Sequence, residues 1–294
     1  IKDVLAAELA KYGKDIPGIE IHHAAEVIDM HDPAAISVRK KKDSSINVSA
    51  KLVKEGRGQA MVSAGNTGAV VCATTVYLKL LKDVERPGIA IVAPTLKGAS
   101  LLIDVGANID PKPIHLLQYG IMGDVYSRAI LKKFNPTVGL VSIGQEASKG
   151  TDFIKKTYSL FSDSRLNFIG NIEGRDLFNG KCDVAVCDGF VGNIVLKVSE
   201  SLAESLAALL KRELGESFIT RIGALFSRSA LQAMKREMDY TEYGGAPLLG
   251  IDGICIIGHG SSSAKAIKNA IKVAGEFVDR RVNQNITESI ELSR

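Results

Sequence analysis

The stretch that most constrains this chain runs from Asp183 to Lys197, Asp-Val-Ala-Val-Cys-Asp-Gly-Phe-Val-Gly-Asn-Ile-Val-Leu-Lys. Val184, Ala185 and Val186 form a short apolar run that suits a buried strand. Asp188-Gly189-Phe190-Val191-Gly192-Asn193 then reads as a tight turn with two glycines. From Ile194 the period becomes helical, through Leu196, Val198, Leu202, Leu206 and Leu209. A strand, a glycine turn and a helix bring backbone N–H groups and a helix N-terminus to one point, which suits an anion. Many such turns need glycine only for geometry, so one copy decides little.

The unit recurs. Ala60 to Ser63 runs into Ser63-Ala64-Gly65-Asn66-Thr67-Gly68, ahead of a helix from about Ala69 to Leu81. Leu101 to Asp104 enters Val105-Gly106-Ala107-Asn108, ahead of a helix near Ile114 to Phe134. Ile254 to Ile257 enters Gly258-His259-Gly260-Ser261-Ser262, ahead of a helix near Ala264 to Val282. Thr137 to Ile143 is followed by Gly144 to Gly150, and Leu166 to Ile169 by Gly170 to Asp176. Alternating strands and helices predict an α/β fold, a mostly parallel sheet with helices on both faces. Ligands bind such sheets beyond the carboxyl ends of the strands. Each turn follows a strand, so all are expected at one edge.

The flanking sequence bounds the rest. Ile1, Val4, Leu5 and Leu9 share a helical face, Gly13 to Gly18 breaks it, and Ile19 to His23 alternates like a strand. The chain thus opens in the middle of an α/β pattern, and a preceding segment is expected. With 46% hydrophobic residues over 294 positions, residues 1–294 are expected to form a single large α/β catalytic domain. An amphipathic helical insertion is expected at about 215–240. The net charge of +4, 5% aromatic content and lack of tryptophan argue against a nucleic-acid binder. Cys72, Cys182, Cys187 and Cys255 lack C-x-x-C spacing and suit buried reduced thiols of a cytosolic protein. No metal-ligand spacing appears among the five histidines, and no apolar run is long enough to span a membrane.

Two regions suggest partners. Arg39 to Lys42 is a basic run, either a solvated helix end or a dock for an acidic partner. Ser217 to Met238 interleaves Phe218, Ile219, Ile222, Leu225, Phe226, Leu231, Met234 and Met238 with Arg221, Arg228, Lys235 and Arg236. It predicts one or two amphipathic helices, for core or dimer packing or for an anionic membrane surface. Asp239 to Gly250 reads as a turn-rich loop.

Familiar chemistries fit poorly. Gly258 to Ser263 nearly matches G-x-G-x-x-G, but only 34 residues remain after Gly260, too few for a dinucleotide-binding half. Met61 replaces the first glycine that a G-x-S-x-G elbow at Ser63 needs, and a P-loop is missing. The remaining turns, rich in Asn, Ser, Gly and a few Lys, suit phosphate acting as nucleophile. Its second pKa lies near 6 in esters, so little base is needed. A thiol leaving group with pKa about 8.5 needs little acid. Positioning and oxyanion stabilisation are what remain for the protein.

Ser63-Ala64-Gly65-Asn66-Thr67-Gly68, Asp104-Val105-Gly106-Ala107-Asn108, Gly170 to Asp176, Cys187 to Asn193, Tyr243 to Gly250 and His259-Gly260-Ser261-Ser262 occur in this order. Together, from about Ser44 to Ala274, they resemble the bacterial phosphate acyltransferase of phospholipid synthesis. That resemblance implies transfer of a fatty acyl group from acyl carrier protein to inorganic phosphate. The acyl phosphate would serve a membrane glycerol-3-phosphate acyltransferase. It also implies a fold like the isocitrate and isopropylmalate dehydrogenases and phosphotransacetylase, and a cytoplasmic homodimer, with association at the inner face of the membrane left open. No cofactor or metal is called for, and no nucleic acid. Members usually open with a strand and an Asp-Ala-Met-Gly-Gly-Asp turn, which this sequence lacks. A nicotinamide-dependent dehydrogenase and a non-catalytic scaffold for lipid enzymes are the rivals.

The resemblance fixes no catalytic roles, so these rest on side-chain chemistry. Asn66, Asn108 and Asn171 are candidate oxyanion donors, and Lys149 and Lys197 candidate cations for phosphate or the intermediate. Asp188 is expected to orient a lysine or take a proton, or else to cap its turn. Phosphate is assigned to Asn193, His259, Gly260, Ser261, Ser262 and Lys265, with Ser261 and Ser262 also able to cap the last long helix.

Overall fold

The computed structural model describes residues 1–13, 16–237 and 244–293. Three helices come first: α1 (Lys2–Leu9), α2 (Ala34–Lys40) and α3 (Ser45–Lys54). Then follow β1 (Met61–Ser63), α4 (Thr67–Tyr77), β2 (Gly88–Thr95), β3 (Gly98–Ile103), α5 (Pro113–Ala129), β4 (Thr137–Val141), α6 (Asp152–Ser162) and β5 (Asn167–Ile172). After a short 3-10 turn at Gly174–Leu177 come β6 (Val184–Val186), α7 (Gly189–Gly215), α8 (Phe218–Phe226) and α9 (Arg228–Glu237). The chain closes with β7 (Ala246–Leu249), β8 (Cys255–Ile257), α10 (Ala264–Asp279) and α11 (Val282–Leu292).

Local chemistry explains where the helices start. Ser44, Asn66, Thr151, Asp188, Ser217 and Ser263 each accept a backbone N–H from the first turn of the helix that follows. Such caps satisfy donors that the helix itself leaves unpaired.

The strands form one sheet in the order β1-β8-β7-β2-β3-β6-β4-β5. β1 and β8 are parallel, as are β3, β6, β4 and β5. Between these groups β2 lies antiparallel to both β3 and β7, and β7 antiparallel to β8. The sheet is therefore mixed, not mostly parallel as the sequence pattern predicts. The cause is two strands without a crossover helix. Gly88–Thr95 folds straight back onto Gly98–Ile103, and Ala246–Leu249 comes from the stretch that looked like loop.

Alternate side chains on each strand feed two core layers. Leu101, Ile103, Leu140 and Val184 face one layer with Leu116, Tyr119, Met122 and Tyr126 of α5, Phe161 of α6 and Ala270 and Phe277 of α10. Leu102, Ala185, Cys187 and Ile257 face the other with Ile46 and Ala50 of α3, Ala69, Val70 and Ala73 of α4, and Val191 of α7. All four cysteines are free; burial pushes the Cys255 thiol up to about 12 and the Cys182 thiol to about 11.

Two further expectations are corrected. Ile19 to His23 is irregular, and the nearest pairing is an isolated bridge from Glu26 to Ser44. The strand expected to stop at Ile169 continues through Gly170, at φ 88, to Ile172, so Asn171 belongs to the strand. The last long helix ends close to its expected limit, and after Arg281, which adopts the left-handed region, a further helix, α11, follows. Asp239 to Tyr243, with Met238 and the side chains of Lys235 and Arg236, lies outside the described residues. Among those described, no helix is long and apolar enough to cross a membrane.

Candidate active site

β1 and β8 are adjacent and parallel, yet α4 packs on one face of the sheet and α10 on the other. A crevice opens where neighbouring parallel strands send their helices to opposite faces, and ligands of α/β sheets bind there. Two helix N-termini point into this one, and both favour negative charge. Asn66 caps α4, its Oδ1 accepting from the Ala69 N–H at 3.0 Å. Ser263, rather than Ser261 or Ser262, caps α10. Ser261 Oγ instead meets His259 Nδ1 at 2.7 Å, and the Ser262 N–H closes onto the His259 carbonyl. His259, Gly260 and Ser261 are exposed, Ser262 is half-buried, and Lys265 is exposed in the first turn of α10.

Asn66 is 8% exposed, and its amide hydrogens are committed. Nδ2 donates to the carbonyls of Asp29 and Met30 at 3.1 Å and of Asp32 at 3.2 Å. This binds a turn at residues 29–32 to the mouth of the crevice, a feature the sequence reading missed. The available signal was Lys41. Inside the basic run it points inward, its Nζ 2.6 Å from the Asp32 carboxylate and 2.7 Å from the Val27 carbonyl. That ammonium holds the Asp32 carboxyl below its ordinary range. Arg39, Lys40 and Lys42 remain exposed.

β3 and β6 make a second crevice, with α5 and α7 on opposite faces. Its backbone donors are already taken. Asp104 is fully buried, and its carboxylate accepts from the N–H groups of Ile89, Gly106, Ala107 and Asn108 at 2.7–3.1 Å. Burial raises this carboxyl above its ordinary range, and the four donors pull it back. An internal carboxylate thus sits in the amide nest that an external anion would need. Asn108 donates both amide hydrogens, to the Pro87 carbonyl at 2.6 Å and the Tyr119 hydroxyl at 2.7 Å. Burial pushes the Tyr119 phenol above its usual value.

The neighbouring candidates behave alike. Asp188 caps α7 through the Val191 N–H at 2.8 Å. Asn193 lies beside Gly106, and Lys197 pairs with Glu200 at 2.9 Å. Asn171 donates to the Glu146 carbonyl at 2.9 Å, on the loop that also carries exposed Lys149.

The candidates therefore do not share one edge. β1 and β8 run opposite to β3, β6, β4 and β5, so their turns leave the sheet at opposite ends. Asn66, His259, Gly260, Ser261, Ser262 and Lys265 gather at one end, and Asn108, Lys149, Asn171, Asp188, Asn193 and Lys197 stand at the other. The intervening antiparallel β2 and β7 cause the reversal. A cavity of about 330 Å³ opens near Val62 of β1, lined by Glu20, His22 and Arg57 among others, and contains none of these candidates.

Comparison with known proteins identifies the family and the fold. The family described as "Fatty acid synthesis protein" matches residues 2–285. The phosphate acyltransferase of Geotalea uraniireducens is 52% identical over 289 residues, 98% of this chain and 84% of that protein. That of Geobacter sulfurreducens is 50% identical over 287 residues, 98% of this chain and 83% of its own. In fold the chain resembles a phosphotransacetylase from Streptococcus pyogenes, with TM-score 0.61, 17% identity, and 95% and 84% of the two chains covered. The EutD phosphotransacetylase from Staphylococcus aureus gives TM-score 0.55 at 14% identity, covering 98% and 82%. The likeness is to phosphotransacetylases, and the expected dehydrogenase-like fold gives way to it. On sequence identity over almost its whole length, the chain belongs to the phosphate acyltransferase family.

Proposed function

We propose that this protein transfers a long-chain fatty acyl group from acyl carrier protein to inorganic phosphate, at the crevice between β1 and β8. The carrying observation is the pair of oppositely placed helix N-termini, α4 and α10, flanking a turn of glycines and hydroxyls with Lys265 beside it. The second crevice is the poorer anion site because Asp104 fills its nest.

In the reaction, a phosphate oxygen attacks the thioester carbonyl and the carbonyl oxygen becomes an oxyanion. Collapse of the tetrahedral intermediate expels the carrier thiolate, which takes a proton from water, and leaves acyl phosphate. Backbone N–H groups of the two glycine turns and the Ser262 hydroxyl are suited to the charge that develops. Asn66 acts by holding the crevice together. Phosphate-dependent release of the carrier thiol, without added metal or nucleotide, tests the reading. Absence of that release rejects it, and reduction of a nicotinamide instead would favour a dehydrogenase.

Ser262→Ala combined with Lys265→Ala is expected to raise the phosphate KM roughly tenfold or more, the worth of a charge-assisted hydrogen bond. Thermal unfolding of this variant should stay near that of the parent. An unchanged phosphate KM removes these residues from the site.

α7 leaves Phe190, Ile194, Val198, Leu202, Leu206 and Leu209 exposed along one stripe, and α8 has no buried residue. Core packing therefore does not explain α8. Contiguous apolar surface of this extent marks an interaction face. We assign the α7 stripe to a homodimer and the Leu225–Phe226 tip to transient contact with the membrane that receives the product. Leu225→Glu with Phe226→Glu is expected to reduce binding to anionic liposomes while sparing turnover in solution. Unchanged liposome binding, or loss of the dimer, would remove the membrane role. Exposed Arg39, Lys40 and Lys42 are one candidate dock for the acidic carrier protein, and Arg221 with Arg228 another.

A further inference from the structure

The turn at residues 29–32 is braced more heavily than a surface turn needs. Asn66 donates to three of its carbonyls, and the Asp32 carboxylate accepts from the Asp29 N–H at 2.9 Å. Lys41 ties Asp32 in turn to the Val27 carbonyl. Yet the one large apolar side chain at its tip is left in water: Met30 is 57% exposed. Its Cε lies 3.8 Å from where a Cβ on Gly260 would stand, over the glycine turn that opens α10. Gly260 has no side chain to cover it, so the thioether and the turn form an apolar lip beside a polar anion site.

Braced backbone under an uncovered flexible apolar side chain suits contact with something apolar that arrives with the anion. Methionine adapts well to chains of varied shape. Resting on the reading that the crevice joins phosphate to a fatty acyl group, we infer that Met30 contacts the acyl chain beyond its fourth carbon and so favours long chains over short ones. Lys41 is a positioning residue, acting through Asp32 on the turn that presents Met30. The acyl carbon reacts at the helix N-termini, and the chain leaves across Met30.

Two arms test this. In the first, kcat/KM is compared for myristoyl and butyryl thioesters of the carrier protein. Met30→Asp is expected to lower the myristoyl-to-butyryl ratio about tenfold, the worth of roughly two methylenes. Lys41→Met should lower it in the same direction, and Lys41→Arg should restore it, whereas a merely structural role for Lys41 would alter both donors alike. In the second arm, calorimetric titration with dodecylphosphonate and butylphosphonate requires no turnover. Met30→Asp should weaken the dodecyl compound about tenfold and the butyl compound by less than about twofold.

A chain-length ratio and dodecylphosphonate affinity both unchanged in Met30→Asp would overturn the inference. So would a parent protein that binds the two phosphonates equally. If the parent shows no phosphate-dependent thiol release, the proposed function fails, while the phosphonate arm still decides the role of Met30.

Discussion

Gly192→Ala is expected to destabilise the protein by at least about 3 kcal/mol, read as a large fall in the unfolding midpoint or loss of soluble chain. A Cβ on Gly192 would run into the backbone carbonyl of Asp104 and stand 2.9 Å from the Cys187 sulfur. Neither obstacle is a flexible side-chain end. Asp104 is held by four backbone donors, and Cys187 is wholly buried behind β6. Glycine is required here because the first turn of α7 touches the neighbouring turn backbone to backbone. Gly215→Ala, at the far end of the same helix with nothing within 4 Å, is the control. It should be neutral or stabilising by up to about 1 kcal/mol. Equal stability of the two variants would refute the close-packing account.

Asn66→Ser is expected to lower kcat/KM about 100-fold, the scale of a misplacement of about 1 Å in a reacting site. Serine still accepts the Ala69 N–H as a helix cap, so the loss of stability should stay near about 1 kcal/mol. It is too short to reach the carbonyls of Asp29, Met30 and Asp32. Asn66→Ala loses the cap as well and should unfold earlier at a similar activity. If Asn66→Ser turns over normally, the turn at residues 29–32 does not shape the site. If activity falls only in step with folded fraction, Asn66 is a cap and nothing more.

The strand–turn–helix units were legible because each carries its own evidence. At Val184 to Lys197 the period changes from strand to helix across two glycines, and the structure starts α7 within that turn. Strand direction carries no such local mark. Gly88 to Thr95 and Ala246 to Leu249 have no helix following them, so nothing in the chain announces that they run against their neighbours. With them went the expectation of a single ligand edge.

The side-chain roles were hidden for a related reason. Asn66 and Asn108 look alike as amides beside glycine turns, and only the carbonyls around them reveal that both are bound up internally. Lys41 sits in a basic run that looks solvated, yet its partners come from nine or more positions earlier in the chain. Ser263 was missed as the cap of α10 because three successive serines compete for that position, and sequence cannot rank them.

The pairing of β1 with β8 dictates the order in which this protein can be completed as it is made. Met61 aligns with Cys255 and Ser63 with Ile257, so β1 emerges early and waits for the last strand among the described residues. β3, β4, β5 and β6 all lie between Gly98 and Val186 and can pair as soon as that segment is out. Contacts so distant in sequence close slowly, because the intervening chain must first give up its freedom. The crevice between β1 and β8 is consequently among the last parts to assemble, and a chain released before Cys255 carries a partly formed sheet without that crevice.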